Sequence, residues 1–224
     1  MNARLFLMVG CVAGMCAACT HKGTGFHSGN QAVVHTLILE ADSLMRSDSL
    51  FWNVPVDRAH PRVCIHDSLI REKLDSAISL SPDKQTYLLK YTYLLRSWRL
   101  TEVLALLREM DTCMRDSMSP ELWNMKAMLE DYQGDSVVAR KDFLRADSAY
   151  GVKVQEVAQD SLMYGFVRLE KALNLALMKN DFRPLQEEIT FYERVNGKAV
   201  HGMEQWKNLT DKRAYYRQVF GQPE

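Results

Sequence analysis

Residues 120–151 read PELWNMKAMLEDYQGDSVVARKDFLRADSAYG, and this stretch decides the fold that the sequence predicts. Apolar and small residues recur three and four positions apart on both sides of Gly134, which is the spacing of one face of an α-helix. Those residues are Trp123, Ala127, Ala139, Phe143 and Ala146. No alternation typical of a β-strand is present. The stretch therefore predicts two helices that turn at Gly134.

The chain from residue 31 onward has the same helical signature. Glycine and proline are sparse, at 11 and 6 of 224 residues, and a hydrophobic fraction of 47% is enough for a packed core. We predict an all-α protein with an ordered loop at 51–66. Further helices are predicted over 31–46, 67–80 with Asp67 as its N-cap, 84–96, 100–115, 154–179, from Pro184 to before Asn196, and 203–220.

The pattern of residues 120–151 resembles the tetratricopeptide repeat, with small residues where two helices approach and Gln133-Gly134-Asp135 at the turn. Glu130 departs from it, because the family has an aromatic residue there. Weaker matches lie at 77–82, 87–110 and 166–192. The resemblance implies a tetratricopeptide-repeat-like α-solenoid of antiparallel helix pairs. The alternative is an irregular helical bundle with a chance match.

The same resemblance implies where a partner would bind. The groove positions of the family correspond to Asn124, Met128 and Asp131, and by analogous placement to Tyr93 and Arg96 in the preceding hairpin. The implied function is a module that binds a protein or peptide. Two alternatives remain open: a structural scaffold lipoprotein of an outer-membrane assembly complex, and an accessory glycan-binding protein that uses Phe51-Trp52 or Trp98 as an aromatic platform.

The first residues resemble the signal peptide of a bacterial lipoprotein. Arg4 precedes an apolar run that is too short for a membrane span, and the run ends in Cys16-Ala17-Ala18-Cys19, which resembles a lipobox. The resemblance implies cleavage before Cys19 and lipid on its sulfur, and places the protein at the periplasmic face of an outer membrane. A second candidate box ends at Cys11, but it leaves too short an apolar region before it.

These features divide the chain into five predicted segments. Residues 1–18 are the signal peptide, 19–30 a flexible tether, and 31–66 an N-terminal helix with its ordered loop. Residues 67–194 hold the degenerate repeats, and 195–224 hold a loop and the C-terminal helix.

Asp-Ser followed by an aliphatic residue or Met occurs eight times, whereas chance pairing of these residue types predicts about one Asp-Ser. The pattern resembles an O-glycosylation motif of exported proteins in one phylum of Gram-negative anaerobes. The alternative is structural, with Asp as a helix cap and an apolar third residue that faces the core. The serines are Ser43, Ser49, Ser68, Ser76, Ser117, Ser136, Ser148 and Ser161.

No sequence feature predicts catalysis, and we expect no cofactor and no metal. A nucleophile elbow and a phosphate loop are absent. His60, Cys64, His66 and Asp67 lack the spacing of a zinc site, so loop packing is the interpretation. Cys64 and Cys113 are expected to be small buried residues, with a disulfide as the alternative.

The charge pattern bears on partners and on surface. The 28 basic and 28 acidic residues balance, which predicts no nucleic-acid partner. Glu130-Asp131 and Glu187-Glu188 have no obvious partner nearby in the sequence and are expected on solvated helix faces.

Overall fold

The computed structural model describes residues 28–53, 63–159, 162–196 and 204–221. All regular structure in these ranges is helical, which confirms the predicted all-α class. Within them, no helix has the length and apolar character needed to cross a membrane. The predicted signal peptide, Cys19 and most of the tether lie outside the described residues.

The described residues form two compact units, of which the first ends at Ser117 and the second begins at Met118. This division falls inside the predicted repeat segment 67–194.

The first unit contains five α-helices in its described part. They are α1 (Ser28–Ser47), α2 (Ser49–Asn53), α3 (Asp67–Leu80), α4 (Lys84–Arg96) and α5 (Leu100–Cys113), followed by a 3₁₀ turn at Arg115–Ser117. Helix α1 packs on α3, and α4 packs on α5. The bounds of α3 and α4 are those predicted.

The loop predicted over 51–66 does not begin at residue 51. Phe51 and Trp52 belong to the short helix α2, because the carboxylate of Asp48 accepts the Phe51 amide at 3.0 Å and caps it.

The second unit contains six α-helices in its described part. They are α6 (Pro120–Tyr132), α7 (Ser136–Glu156), α8 (Leu162–Lys179), α9 (Arg183–Asn196), α10 (Glu204–Lys207) and α11 (Lys212–Val219). Helices α6 and α7, α7 and α8, and α8 and α9 pack as successive neighbours.

Two predicted helices of this unit have the wrong bounds. Val154 belongs to the end of α7 and does not begin a long helix to Lys179. The single helix expected over 203–220 is two helices, because the side chain of Asp211 accepts the Ala214 amide at 2.8 Å and starts α11 anew.

The hairpins α4–α5, α6–α7 and α8–α9 share one kind of turn. The first helix of each ends beside a residue with a positive φ, namely Trp98 (57°), Gly134 (95°) and Asn180 (53°). The next amide then donates to the carbonyl five residues back, at 2.9–3.1 Å, which is the longer bond of a Schellman turn. The donor and acceptor pairs are Arg99 and Leu94, Asp135 and Glu130, and Asp181 and Ala176.

Candidate functional site

The five predicted groove residues are all buried, with exposed fractions between 0% and 9%. They therefore do not form the open surface that the sequence led us to expect. The contacts that bury them differ between the two units. The residues are Tyr93, Arg96, Asn124, Met128 and Asp131.

In the first unit, Tyr93 holds the start of α3 against α4. Its hydroxyl donates to the carboxylate of Asp67, and Arg99 donates to the same carboxylate at 2.7 Å. Burial, followed by the hydrogen bond and charge of Asp67, raises the pKa of Tyr93. Asp67 is the first residue of α3 and makes no capping bond to it, so the predicted N-cap role of Asp67 is wrong.

Arg96 holds α2 in place. Its guanidinium donates to the carbonyls of Phe51 and Trp52, the second at 2.7 Å. These are among the last carbonyls of α2, where a cation is favoured by the helix dipole. Burial lowers the pKa of Arg96. Tyr93 and Arg96 thus have structural contacts inside the first unit.

The aromatic residues considered as a sugar-binding platform are buried or half-buried. Phe51 is buried, and Trp52 is half-buried between the guanidinium groups of Arg46 and Arg96, whose carbons lie 4.9 and 5.0 Å from its ring centre. Trp98 is also half-buried. Phe51 therefore offers no open face to a sugar, and guanidinium groups already lie over the ring of Trp52.

In the second unit, Asp131 is the centre of a polar contact between α6 and α11. Its Oδ2 accepts from the Tyr216 hydroxyl at 2.8 Å and from the Lys212 ammonium at 2.7 Å. Its Oδ1 accepts from the Ser136 hydroxyl at 2.7 Å. The expectation that Asp131 lies on a solvated face is wrong, because α11 covers it.

Aromatic rings continue this contact along α6. The ring centre of Tyr132 lies 6.3 Å from that of Tyr216 and 5.2 Å from that of Phe220. Tyr216 and Phe220 are both buried. The C-terminal helix therefore packs on α6 through one carboxylate and one ring.

The electrostatics of this contact favour an ionised Asp131 and a neutral Tyr216. Burial raises the pKa of Asp131, but the hydrogen bonds from Lys212, Ser136 and Tyr216 together lower it below its ordinary value of 3.8. Burial is also the largest cause that raises the pKa of Tyr216, and the negative charge of Asp131 adds to it.

Asn124 lies two turns and Met128 one turn before Asp131, and both share its side of α6. Both are buried. The Oδ1 atom of Asn124 has no hydrogen-bond partner among the described residues. A buried polar atom in this state lowers stability, so this side of α6 is not optimised for packing alone.

A buried ionic cluster joins α6 to α7, and sequence reasoning missed it. The Lys126 ammonium pairs with the carboxylate of Asp142 and lies 3.4 Å from Oε1 of Glu130. Arg145 pairs with the other oxygen of Asp142 at 2.8 Å. Glu130, which departs from the repeat pattern, is 1% exposed, so the solvated face expected for it is wrong. Lys and Glu four residues apart on α6 were the available signal.

The expectation for Glu188 is also wrong. Its Oε2 accepts from Arg168 at 2.8 Å, between α8 and α9, so the residue has a partner outside its own helix. This bond is the largest cause that raises the pKa of Arg168.

None of the seven described serines of the Asp-Ser tripeptides is buried. Ser76 is half-buried, and the other six are exposed. Ser161 lies outside the described residues. The exposed ones are Ser43, Ser49, Ser68, Ser117, Ser136 and Ser148.

The structural alternative for these tripeptides accounts for only some of them. Asp135 caps α7, as expected, by accepting the Val138 amide at 3.3 Å. An apolar third residue that faces the core is found at Ala77 and Met118, but Leu50 and Val137 are 65% and 73% exposed. Core packing therefore does not explain why an aliphatic residue stands at those positions.

The cysteines of the body are unpaired. Cys64 is buried, as expected, and burial is the largest cause that raises the pKa of its thiol. Cys113 is exposed, which corrects the expectation of burial. His60 lies outside the described residues. Within the described part of the chain, no three His, Cys, Asp or Glu side chains are grouped as metal ligands would be.

Comparison of the chain with protein-family models, with curated proteins and with solved structures found no match.

Proposed function

We propose that this chain is an exported lipoprotein whose helical body binds a protein or peptide partner. The observation that carries the binding part is the contact of α11 with α6, since this hairpin already holds a helix through a buried carboxylate and an aromatic ring. A surface with that chemistry can recognise a helix of another protein by the same contacts.

The build of the hairpins supports a tetratricopeptide-like solenoid as the form of this module. The residues that carry the resemblance lie buried in α6 and α7, as closely packed helix pairs require. The same left-handed turn ends α4, α6 and α8. The buried residues of the pattern are Trp123, Ala127, Ala139, Phe143 and Ala146.

Lipid on Cys19 is the proposed link to the periplasmic face of an outer membrane. The support is the sequence around Cys16-Ala17-Ala18-Cys19, because small residues before a cysteine suit a lipoprotein signal peptidase. Two or three acyl chains give stable membrane binding.

Intact-mass measurement of the protein from native membranes tests this link. The expected mass corresponds to a chain that begins at Cys19 and carries acyl groups. Cys19→Ala should abolish processing and lipid, whereas Cys11→Ala is the matched control and should leave both intact. A Cys19→Ala chain that is still cleaved and lipidated would refute the anchor.

O-linked glycans on some of the Asp-Ser tripeptides are part of the same proposal. The exposure of their serines supports it, because a transferase must reach the hydroxyl. The aliphatic side chains of Leu50 and Val137 support it as well, since they are 65% and 73% exposed and lie outside the core.

Crosslinking in native membranes tests the binding function. The full chain should crosslink to a specific protein, and a mild detergent extract without crosslinker should release it alone. Constant stoichiometric co-purification with a membrane complex would favour the scaffold function instead. Absence of any specific crosslink at reactive positions around α6 would contradict both.

A further inference from the structure

We propose that α11 acts as an internal ligand (a ligand in cis) for the surface of α6 that it covers. When α11 leaves, the same surface binds a helix of another protein. That helix carries a basic residue, a tyrosine and a second aromatic residue at intervals of four. This inference rests on the binding function proposed above and names the chemistry of the partner. The surface is called the Asp131 face and consists of Asp131 and Tyr132 of α6.

The chemistry of the partner is defined by what α11 brings to this face. Lys212 and Tyr216 of α11 and Phe220, the residue that follows its end, are spaced by four and lie along one side. The Lys212 ammonium and the Tyr216 hydroxyl lie 2.7 and 2.8 Å from Oδ2 of Asp131. The ring of Phe220 lies against Tyr132. A foreign helix with the same three side chains would satisfy the same carboxylate and ring.

The Asp131 carboxylate needs such donors. Of its donors in the structure, Lys212 and Tyr216 both come from α11, whereas Ser136 comes from the start of α7. Departure of α11 would leave the carboxylate with the Ser136 hydroxyl and water. A partner that supplies an ammonium or guanidinium group and a phenol restores the charge-assisted bonds.

The short length of α11 and the cavity beside it favour its release from α6 and its replacement by another helix. The helix has eight residues, and an isolated helix of that length is unstable in water, so α11 depends on its contacts for order. A cavity of about 450 Å³ lies beside its first turn, lined by Asn180, Asp211, Lys212, Arg213 and Arg217. Its start is fixed by the Lys212 amide, which donates to Oδ1 of Asn180 at 2.7 Å.

A ligand in cis competes at high effective concentration, on the order of millimolar for short connections, so the intact chain should bind a partner helix weakly. Variants that weaken the cis contact should bind it more tightly. A gain in affinity in such variants distinguishes a displaceable helix from one that only completes the fold.

The test measures, by fluorescence anisotropy, how tightly the full chain binds a fluorescent peptide with the sequence of residues 204–221. A Lys212→Ala, Tyr216→Phe chain should bind this peptide about tenfold more tightly than the unchanged protein. Adding Asp131→Asn to that chain should abolish the gain. Arg213→Ala is the matched control, because Arg213 is exposed on the same helix and should leave affinity unchanged.

We call the Lys212→Ala, Tyr216→Phe chain the opened chain. If circular dichroism shows that the opened chain is folded, and it binds the peptide no better than the Arg213→Ala chain does, the inference is overturned. A dimer of the opened chain in sedimentation would assign the occupant to a second copy and would also overturn the partner claim.

A second measurement on the unchanged protein covers the case in which the opened chain does not fold. Amides of α11 should exchange with deuterium at least tenfold faster than those of α6. Equal protection would show that α11 leaves only on global unfolding and would overturn the inference.

These results separate the inference from the proposed function. If specific crosslinks in membranes persist in an Asp131→Asn chain while the peptide fails to bind, the Asp131 face is the wrong surface and the binding function stands. If no crosslink forms but the peptide binds as expected, the binding function in the envelope fails.

Discussion

The hydroxyl of Tyr216 donates to Oδ2 of Asp131 across 2.8 Å, and both residues are buried although 85 positions separate them in the chain. A buried carboxylate is stable as an anion only where donors surround it. Here the phenol is one of these donors, and burial together with the charge of Asp131 raises its pKa and keeps it protonated. This bond links the C-terminal helix to the best-defined hairpin of the second unit.

Removal of the Tyr216 hydroxyl should destabilise the protein. Tyr216→Phe leaves the ring contacts in place but takes one hydrogen bond from a buried anion, so we expect a loss of about 1–3 kcal/mol in the free energy of unfolding, measured by urea denaturation. Tyr215→Phe is the control, because Tyr215 is buried next to it but the described residues supply no hydrogen bond to its hydroxyl. Equal losses in the two variants would contradict a role for the bond.

Acid should weaken the same contact. The folded pKa of Asp131 lies below its ordinary value of 3.8, so its contribution to stability is fully present above the unfolded pKa and is lost as pH falls through the folded pKa. The difference in free energy of unfolding between the unchanged protein and Asp131→Asn should therefore be largest above about pH 5 and shrink below about pH 4. Urea denaturation between pH 3 and 6 measures it. A difference that stays constant across this range would exclude ionised Asp131 as its cause.

The buried ionic cluster of the α6–α7 hairpin should be sensitive to loss of its cation. Lys126→Met removes the ammonium between the buried carboxylates of Glu130 and Asp142, although Asp142 keeps Arg145, and we expect a loss of about 3–5 kcal/mol in the free energy of unfolding. Lys171→Met is the control, since the Lys171 ammonium lies 3.9 Å from Asp147 in a half-exposed pair that contributes less than about 1 kcal/mol.

A second comparison isolates the charge of the cluster from its packing. Lys126→Met combined with Glu130→Gln and Asp142→Asn should recover part of the loss, because no buried anion then remains unpaired. A triple variant less stable than Lys126→Met would show that shape rather than charge governs this site.

The sequence predicted those parts of the fold that local patterns determine. The bounds of α3 and α4 follow from apolar residues at helical spacing and from Ser81-Pro82, where a helix ends, all within a few positions of one another. The turn at Gly134 and the separation of the helices at 84–96 and 100–115 were predicted for the same reason.

Features that depend on distant residues were not predictable from local patterns. Helix α2 is held by Arg96, which lies more than 40 positions later. Asp131 was expected in solvent because its partner Lys212 is 81 positions away. The break before α11 was missed because Asp211 gave no apolar signal and caps a new helix. Contacts between residues so far apart in the sequence are set by tertiary packing, which a single sequence does not display.

Close packing of α8 on α9 should make Gly165 irreplaceable. A Cβ added at Gly165 would lie 2.0 Å from Cε2 and 2.5 Å from Cδ2 of Tyr192, whose ring is buried. Gly165→Ala should therefore lower the free energy of unfolding by about 1–3 kcal/mol. Thermal or urea denaturation measures the change.

Gly151 provides the matched comparison for Gly165. It lies within α7, and a Cβ there would meet only the Lys171 ammonium at 3.7 Å, an ordinary contact. Gly151→Ala should stabilise the protein by about 0.5–1 kcal/mol, because alanine has the higher helix propensity. The same sign in both variants would mean that Tyr192 moves aside and that the contact is not tight.

The Asp-Ser tripeptide at Ser117 is accessible in the folded protein. Asp116 and Ser117 are both exposed and lie in a 3₁₀ turn outside the α-helices. In contrast, Asp75 pairs with Lys90 at 2.6 Å, and Ser76 is half-buried within α3. A transferase that acts on the folded chain and reads the carboxylate should therefore modify Ser117 more completely than Ser76.

Glycopeptide mass spectrometry of the protein from its native membranes measures occupancy at both serines. Ser117→Ala should remove one glycan mass from the intact protein, and Ser76→Ala is the matched control that should change little. Full occupancy at both serines would place the transfer before folding, because an extended chain exposes every tripeptide equally. An unmodified Ser117 beside a modified Ser76 would contradict the accessibility argument, since neither order of events produces it.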